Sequence, residues 1–328
     1  MSGRVSTRPT YVTEEQFEAA WACVRQHVHH TPMLASRRLS EEMGLDVVLK
    51  AELFQRTGSY KIRGALNKIR LLDEEARARG VICSSAGNHA QGVALAAALN
   101  DVRSVVVMAR NATPSKVAAT KAYGAEVILH GEIWDEANQE AMRLVSERGY
   151  TFLHPFDDLD LIAGQGTVGM EIVRDLPDVD VVVVPIGGGG LISGVAQAVK
   201  LANPKARVIG VESSGGPAMH DSLRAGHLVT LTDVQTRADG LRVRRVGETT
   251  FKVVRDYVDE VVLVSEDEIR DAIVWCLGAL KLLTEGAAAA TVAALRRGRV
   301  EAAKGSRVVC VLSGGNLDTD QFRELRIN

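Results

Sequence analysis

The sequence predicts an α/β protein in two lobes, with parallel-rich sheets flanked by helices. Short runs of β-branched residues alternate with stretches that repeat at helical period. Most of the runs are continuously apolar, as strands buried on both faces must be. Several of them end in glycine- or serine-rich turns that open onto a helix. A chain of 328 residues has room for two such lobes.

The first helix follows Thr13, whose spacing to Gln16 makes a capping box. Phe17, Ala20, Trp21, Val24 and Val28 then recur on one face, and Thr31-Pro32 ends the pattern. Strands are expected at Val47–Leu49, Val81–Ser84, Val105–Met108, Glu126–Leu129 and Thr151–Leu153. Further strands are expected at Val181–Pro185, Val208–Val211, Val261–Val264 and Val308–Leu312. Helices fall between them at Asn88–Ala98, Ser115–Tyr123, Asp135–Glu147, and Ser265–Gly278, which has its own capping box to Glu268. Four strands lie between Gly80 and Pro155, with the rest on either side. This arrangement suits a large domain of residues 1–70 and 158–328, with a small α/β domain of residues 71–157 inserted. The interface between two such lobes is a common place for a cofactor.

Composition narrows the function classes. Hydrophobic residues make up 46% and charged residues 24%, the mixture of an ordinary globular enzyme. A net charge of −2 with no dense basic run argues against nucleic acid as a partner. Cys23, Cys83, Cys276 and Cys310 are scattered, which suits neither a zinc site nor a disulfide framework. Met1 to Ala20 carries acids and has no apolar signal segment, so a cytoplasmic location is expected. Val181 to Ala202 is long and apolar, but Pro185 and four glycines cut it into strand, loop and helix. It is not read as a membrane span.

Four motifs carry chemistry. The stretch Thr57-Gly58-Ser59-Tyr60-Lys61-Ile62-Arg63-Gly64-Ala65 sets a lysine among small and apolar residues at a helix start. A lysine acting as nucleophile or base must lose its proton near neutral pH, which desolvation achieves. The plainer alternative is a solvated face shared by Lys61, Arg63, Lys68 and Arg70. Pro185-Ile186-Gly187-Gly188-Gly189-Gly190-Leu191 follows a strand and lets backbone N–H groups and a helix N-terminus approach a phosphate. It lacks both the G-x-G-x-x-G spacing and a Walker lysine, which disfavours a nicotinamide oxidoreductase. Ser84-Ser85-Ala86-Gly87-Asn88-His89-Ala90-Gln91-Gly92 offers amides and small polar groups to a second anion, such as a substrate carboxylate. His89 at the helix start reads as a structural hydrogen-bonding group in preference to a base. Ser313-Gly314-Gly315-Asn316 follows the strand 307–312 and alone would be only a turn.

Together the four motifs resemble the fold-type II pyridoxal-phosphate enzymes (tryptophan synthase β-like), in the threonine/serine dehydratase and serine racemase branch. The resemblance runs from about Thr31 to the end of the chain. It implies that Lys61 holds the aldehyde of pyridoxal 5'-phosphate as an imine and that Asn88 bonds the ring's 3-oxygen. Gly187, Gly188, Gly189, Gly190 and Leu191 would bind the phosphate, and Ser313 would meet the pyridine nitrogen. Ser85, Gly87, Asn88 and His89 would surround the substrate carboxylate. The implied activity removes water and then ammonia from L-threonine or L-serine to give a 2-oxo acid, with Lys61 taking the Cα proton. A serine does not hold the pyridine nitrogen protonated, so the ring is a milder electron sink, which favours β-elimination over transamination. Homodimers or homotetramers are the expected assemblies.

The chain departs from that pattern in places. Where racemases of the family carry a serine, this sequence has Ala86, which has no proton to return; a serine or amino-acid racemase is therefore a secondary alternative. Tyr60 replaces the usual phenylalanine before the lysine. Relatives bind Mg²⁺ or Mn²⁺ near the glutamate matching Glu212, yet Ala218 stands where an acid is wanted, and a hard cation needs several oxygens. Metal binding there is doubtful. Arg242 falls where a small residue is expected. If it faced the site it would suit a β-hydroxyaspartate substrate, although solvent exposure is the favoured reading. The chain ends soon after Ser313, as in catabolic, short-form dehydratases.

Overall fold

A computed structural model describes residues 8–325. The chain runs through α1 (Glu14–Val24), β1 (Met33–Ala35), α2 (Arg37–Met43), β2 (Asp46–Ala51), α3 (Lys61–Arg70) and α4 (Glu74–Arg79). Next come β3 (Val81–Ser84), α5 (Asn88–Ala98), β4 (Ser104–Met108), α6 (Pro114–Ala122), β5 (Glu126–Leu129), α7 (Trp134–Arg148) and β6 (Thr151–Phe152). They are followed by α8 (Leu159–Asp175), β7 (Val181–Pro185), α9 (Gly190–Ala202), β8 (Arg207–Ser213), α10 (Ala218–Ala225) and a 3-10 turn, Asp239–Leu241. The last part holds α11 (Glu248–Tyr257), β9 (Glu260–Val264), α12 (Glu266–Trp275), α13 (Gly286–Arg296), β10 (Arg307–Leu312) and α14 (Thr319–Glu324).

Two sheets result. One has six strands in the order β1-β2-β10-β7-β8-β9, and the other four in the order β5-β4-β3-β6. All pairings are parallel except that of β1 with β2. The parallel strands are the expected apolar runs, and β3, β5 and β7 occupy the residues read from sequence. β1 was not foreseen. It has three residues, none fully buried and none β-branched, and pairs antiparallel at an edge, so neither its length nor its composition marks it as a strand.

Covering helices follow from the same patterning. On one face of the larger sheet Leu49, Val183, Ile209 and Cys310 pack with the alanines of α13, whose small side chains let helix and sheet approach closely. On the other face Val182, Val184 and Val309 meet Val195, Ala196 and Val199 of α9. Cys83 and Val106 of the smaller sheet share a core with Ala94 of α5 and with Ile62, Leu66 and Ile69 of α3. Each valine or isoleucine so buried contributes about 1.5–3 kcal/mol relative to exposure. All four cysteines are free thiols. Among the described residues no helix is long and apolar enough to cross a membrane.

This topology sets up the site. Parallel strands β3, β7 and β10 all end in a loop at their carboxyl ends, and in open parallel sheets ligands bind outside those ends. Three of the four motifs are these loops.

Candidate active site

Lys61 is the first residue of α3, and the loop before it is stapled to the turn after β10. Ser59 bridges Gly314, the Tyr60 N–H donates to the Ser313 carbonyl at 3.1 Å, and the Gly315 N–H donates to Gly58 at 2.9 Å. Gly58 has φ +68°, and a Cβ there would stand 2.3 Å from Asn316 Oδ1, so glycine is required twice over. The Asn316 amide donates to the Thr57 carbonyl at 2.8 Å. Lys61 is thereby fixed beside Ser313, which is buried at the strand's end.

The Lys61 amine donates to the Pro155 carbonyl at 2.8 Å and lies 5.4 Å from the Tyr60 ring centre. Among the described residues no carboxylate pairs with it. Burial lowers its pKa to about 8, against a smaller upward pull from Glu285. A neutral, nucleophilic amine is thus accessible near physiological pH. The solvated-face alternative fails at Arg63 as well, which is wholly buried.

Asn88 opens α5. Its amide nitrogen donates to both Glu285 oxygens, at 3.0 and 2.8 Å, and its oxygen accepts from Asn316 at 2.7 Å. Sequence reasoning did not find Glu285. Burial raises its carboxyl pKa to about 6, so it is a poised acid within the electrostatic reach of Lys61. Ser85 Oγ accepts from the Gly87 N–H at 3.2 Å, closing a small turn ahead of the helix. Ala86 stands in that turn, partly buried.

His89 is buried, and its Nε2 sits 2.9 Å from the Leu153 carbonyl, an acceptor, so that nitrogen carries the proton. Burial, with the Lys61 charge adding to it, drops the ring's pKa to about 3. The imidazole stays neutral and anchors the loop. What it can offer a ligand is its backbone N–H in the first turn of α5.

The glycine loop connects β7 to α9. A Cβ on Gly187 would stand 2.2 Å from the Gly240 carbonyl, and one on Gly188 would stand 2.1 Å from the Phe156 ring. No other residue fits there. Gly189 is the N-cap of α9, and no side chain caps that helix. Its first N–H groups and its dipole are available to an anion, and Leu191 begins the apolar face behind them. Thr250 fixes the loop by donating to the Gly188 carbonyl at 2.8 Å.

The residues fit pyridoxal 5'-phosphate. An amine of lowered pKa, a side-chain-free phosphate cradle, a fixed asparagine amide and a buried serine converge from α3, α9, α5 and β10. The Glu212 region is differently employed. Glu212 accepts from the Met219 N–H at 2.8 Å and the His220 N–H at 2.7 Å, so both oxygens cap α10. Burial raises its pKa to about 8, and among the described residues no group of three His, Cys, Asp or Glu side chains is placed to hold a metal. Arg242 is exposed, on a surface hollow shared with Thr236 and Gln321.

Comparison with known proteins agrees with the geometry. The family model described as pyridoxal-phosphate dependent enzyme matches residues 24–314. The chain is 49% identical to an L-threonine ammonia-lyase of Thermotoga maritima, over 95% of this chain and 77% of the relative. It is 45% identical to a catabolic L-threonine dehydratase of Escherichia coli, over 91% of each. A serine racemase structure from maize superimposes with TM-score 0.91 at 37% identity, covering 96% of this chain and 97% of that one. The loop chemistry, the fold and the relatives agree: the chain belongs to the fold-type II pyridoxal-phosphate dependent enzymes, in the threonine/serine dehydratase and serine racemase branch.

Proposed function

We propose that the protein is a dehydratase (ammonia-lyase) that converts L-threonine, L-serine or a related β-hydroxy amino acid into a 2-oxo acid and ammonia. The observation that carries this reading is the half-buried Lys61 amine of lowered pKa, without a carboxylate partner among the described residues, where the four loops meet. The names of the L-threonine ammonia-lyase and dehydratase relatives support it. When bound, the cofactor supplies an aldehyde for the substrate amine and an electron sink for the charge left on Cα.

The chain's own residues supply the rest. Lys61 Nζ would hold the aldehyde in the resting enzyme and, once free, would take the Cα proton. Gly187, Gly188, Gly189, Gly190 and Leu191 would hold the phosphate, Asn88 would meet the 3-oxygen and Ser313 the pyridine nitrogen. Ser85, Gly87, Asn88 and His89 receive the substrate carboxylate, with His89 acting through its backbone. The β-hydroxyl would leave as water with one added proton, balancing the one Lys61 takes from Cα, and hydrolysis of the released enamine would give the oxo acid and ammonia. Ala86 has no proton to deliver to the opposite face of Cα, which favours elimination over racemisation.

The proposal includes the division into 1–70 with 158–328 and 71–157. Its support is the confinement of the four-stranded sheet to the second segment, with α3 packed against α5 on one side and bonded through Asn67 and Lys68 to Asp160 of α8 on the other. Assembly as a homodimer or homotetramer and a reducing, cytoplasmic setting belong to the same reading; the four free thiols suit it.

Purified protein loaded with pyridoxal phosphate is expected to show a visible absorption band that L-threonine shifts. A panel of L-threonine, L-serine and the hydroxyaspartate diastereomers, read as 2-oxo acid formed, identifies the substrate. A colourless protein, or no oxo acid from any of them, refutes the proposal. Ala86→Ser is expected to add racemisation, read by chiral chromatography, while elimination persists.

A further inference from the structure

Lys116 leaves α6, beside the four-stranded sheet, and its ammonium meets two carboxylates from the other side of the molecule. It lies 2.8 Å from Asp239 Oδ2 and 2.7 Å from Asp318 Oδ2, with only 16% of its side chain exposed. Asp239 opens the turn Asp239–Leu241, and Asp318 is the N-cap position of α14. One cation therefore holds two anions that would repel each other without it.

Both carboxylates belong to segments that wall the site. The residue after Asp239 is Gly240, whose carbonyl occupies the space a Gly187 side chain would need. Asp318 follows closely on Asn316, whose amide bonds Asn88 at 2.7 Å. Lys116 touches no group assigned to cofactor or substrate. It acts on the backing of the phosphate loop and on the holder of Asn88 together.

We propose that Lys116 is a positioning residue that clamps the four-stranded sheet closed on the six-stranded one, fixing the Asp239–Leu241 turn behind Gly187 and Asn316 on Asn88. The proposal rests on the dehydratase reading of the site. With the clamp cut, part of the substrate's binding energy is spent on closing the two sides. The apparent affinity is then multiplied by the fraction of molecules left closed. At saturation the closed form is restored.

The test uses the holoenzyme. Lys116→Met is expected to raise KM for L-threonine roughly ten- to hundredfold with a much smaller change in kcat. It is also expected to increase iodide quenching of the bound cofactor's fluorescence, which a purely structural loss at α6 does not predict. Lys116→Arg should restore both. In an Asp239→Asn, Asp318→Asn background, which is itself expected to raise KM, Lys116→Met should add nothing further; that double variant also serves if Lys116→Met does not fold. Unchanged KM and quenching in both the single and the double variant, or a fall in kcat alone, overturns the clamp. A wild-type protein without a cofactor band overturns the clamp and the dehydratase reading together. A normal band with an unmoved KM overturns the clamp alone.

Discussion

Lys50 and Lys61 both point into the protein, and their surroundings treat them in opposite ways. Lys50 is fully buried on β2, and its amine meets Glu171 at 2.6 Å and the Thr31 carbonyl at 2.8 Å. Arg63, on the same helix as Lys61, joins that network through Glu52 and Glu171, each at 2.7 Å. Two cations and two carboxylates neutralise one another there. Among the described residues Lys61 has the Pro155 carbonyl and the face of the Tyr60 ring, and no carboxylate partner. The difference shows how one region makes both a fixed structural cation and a titratable amine: the counter-charge is supplied to one and withheld from the other.

The largest expected effect comes from removing the reactive member. Lys61→Ala should abolish the cofactor's imine band and reduce oxo-acid formation by roughly 10⁴-fold or more, with the fold kept by circular dichroism. Breaking the structural member should do the reverse. Glu171→Gln leaves Lys50 and Arg63 with one carboxylate fewer and is expected to cost about 3–5 kcal/mol in denaturant unfolding.

A subtler test follows the proton on Lys61. In the cofactor-free protein its capture of pyridoxal phosphate should rise with pH around about 8, well below the 10.5 of an ordinary lysine. Glu285→Gln should move that midpoint lower still, because the Glu285 charge holds the pKa up. An unmoved midpoint would remove Glu285 from the account of Lys61.

The effect that is smallest at neutral pH concerns His89, another buried basic group. Its pKa falls from 6.5 to about 3 on folding, so between those values the unfolded chain binds the extra proton. Stability is therefore expected to fall as pH drops through that window, with a slope approaching about 1.4 kcal/mol per pH unit from this residue. His89→Asn should flatten the acid limb of the unfolding midpoint plotted against pH.

The sequence announced what is local. Gly187 to Gly190 could be recognised because a close-packed backbone loop permits no other residue, and Val181–Pro185 because a strand buried on both faces must be apolar at every position. Lys61 and Asn88 stood in short, patterned segments. Glu285 did not: it precedes the alanine-rich α13, and its place beside Asn88 exists only once α5 and α13 are brought together. Asp239 and Asp318 are equally silent in sequence, since each gains its meaning from a lysine on α6. Arg63 looked like a surface charge until Glu52 and Glu171 closed around it.

β10 lies between β2 and β7 in the middle of the larger sheet, yet it is made after all the other strands. Until the segment ending at Leu312 is made, β2 and β7 lack the strand that lies between them, and each keeps an edge that this strand would satisfy. Ser313 and Gly314, which anchor the Lys61 loop, arrive with it. Cofactor capture then waits on β10, and a nascent chain stalled short of it would be a ready target for chaperones or for aggregation.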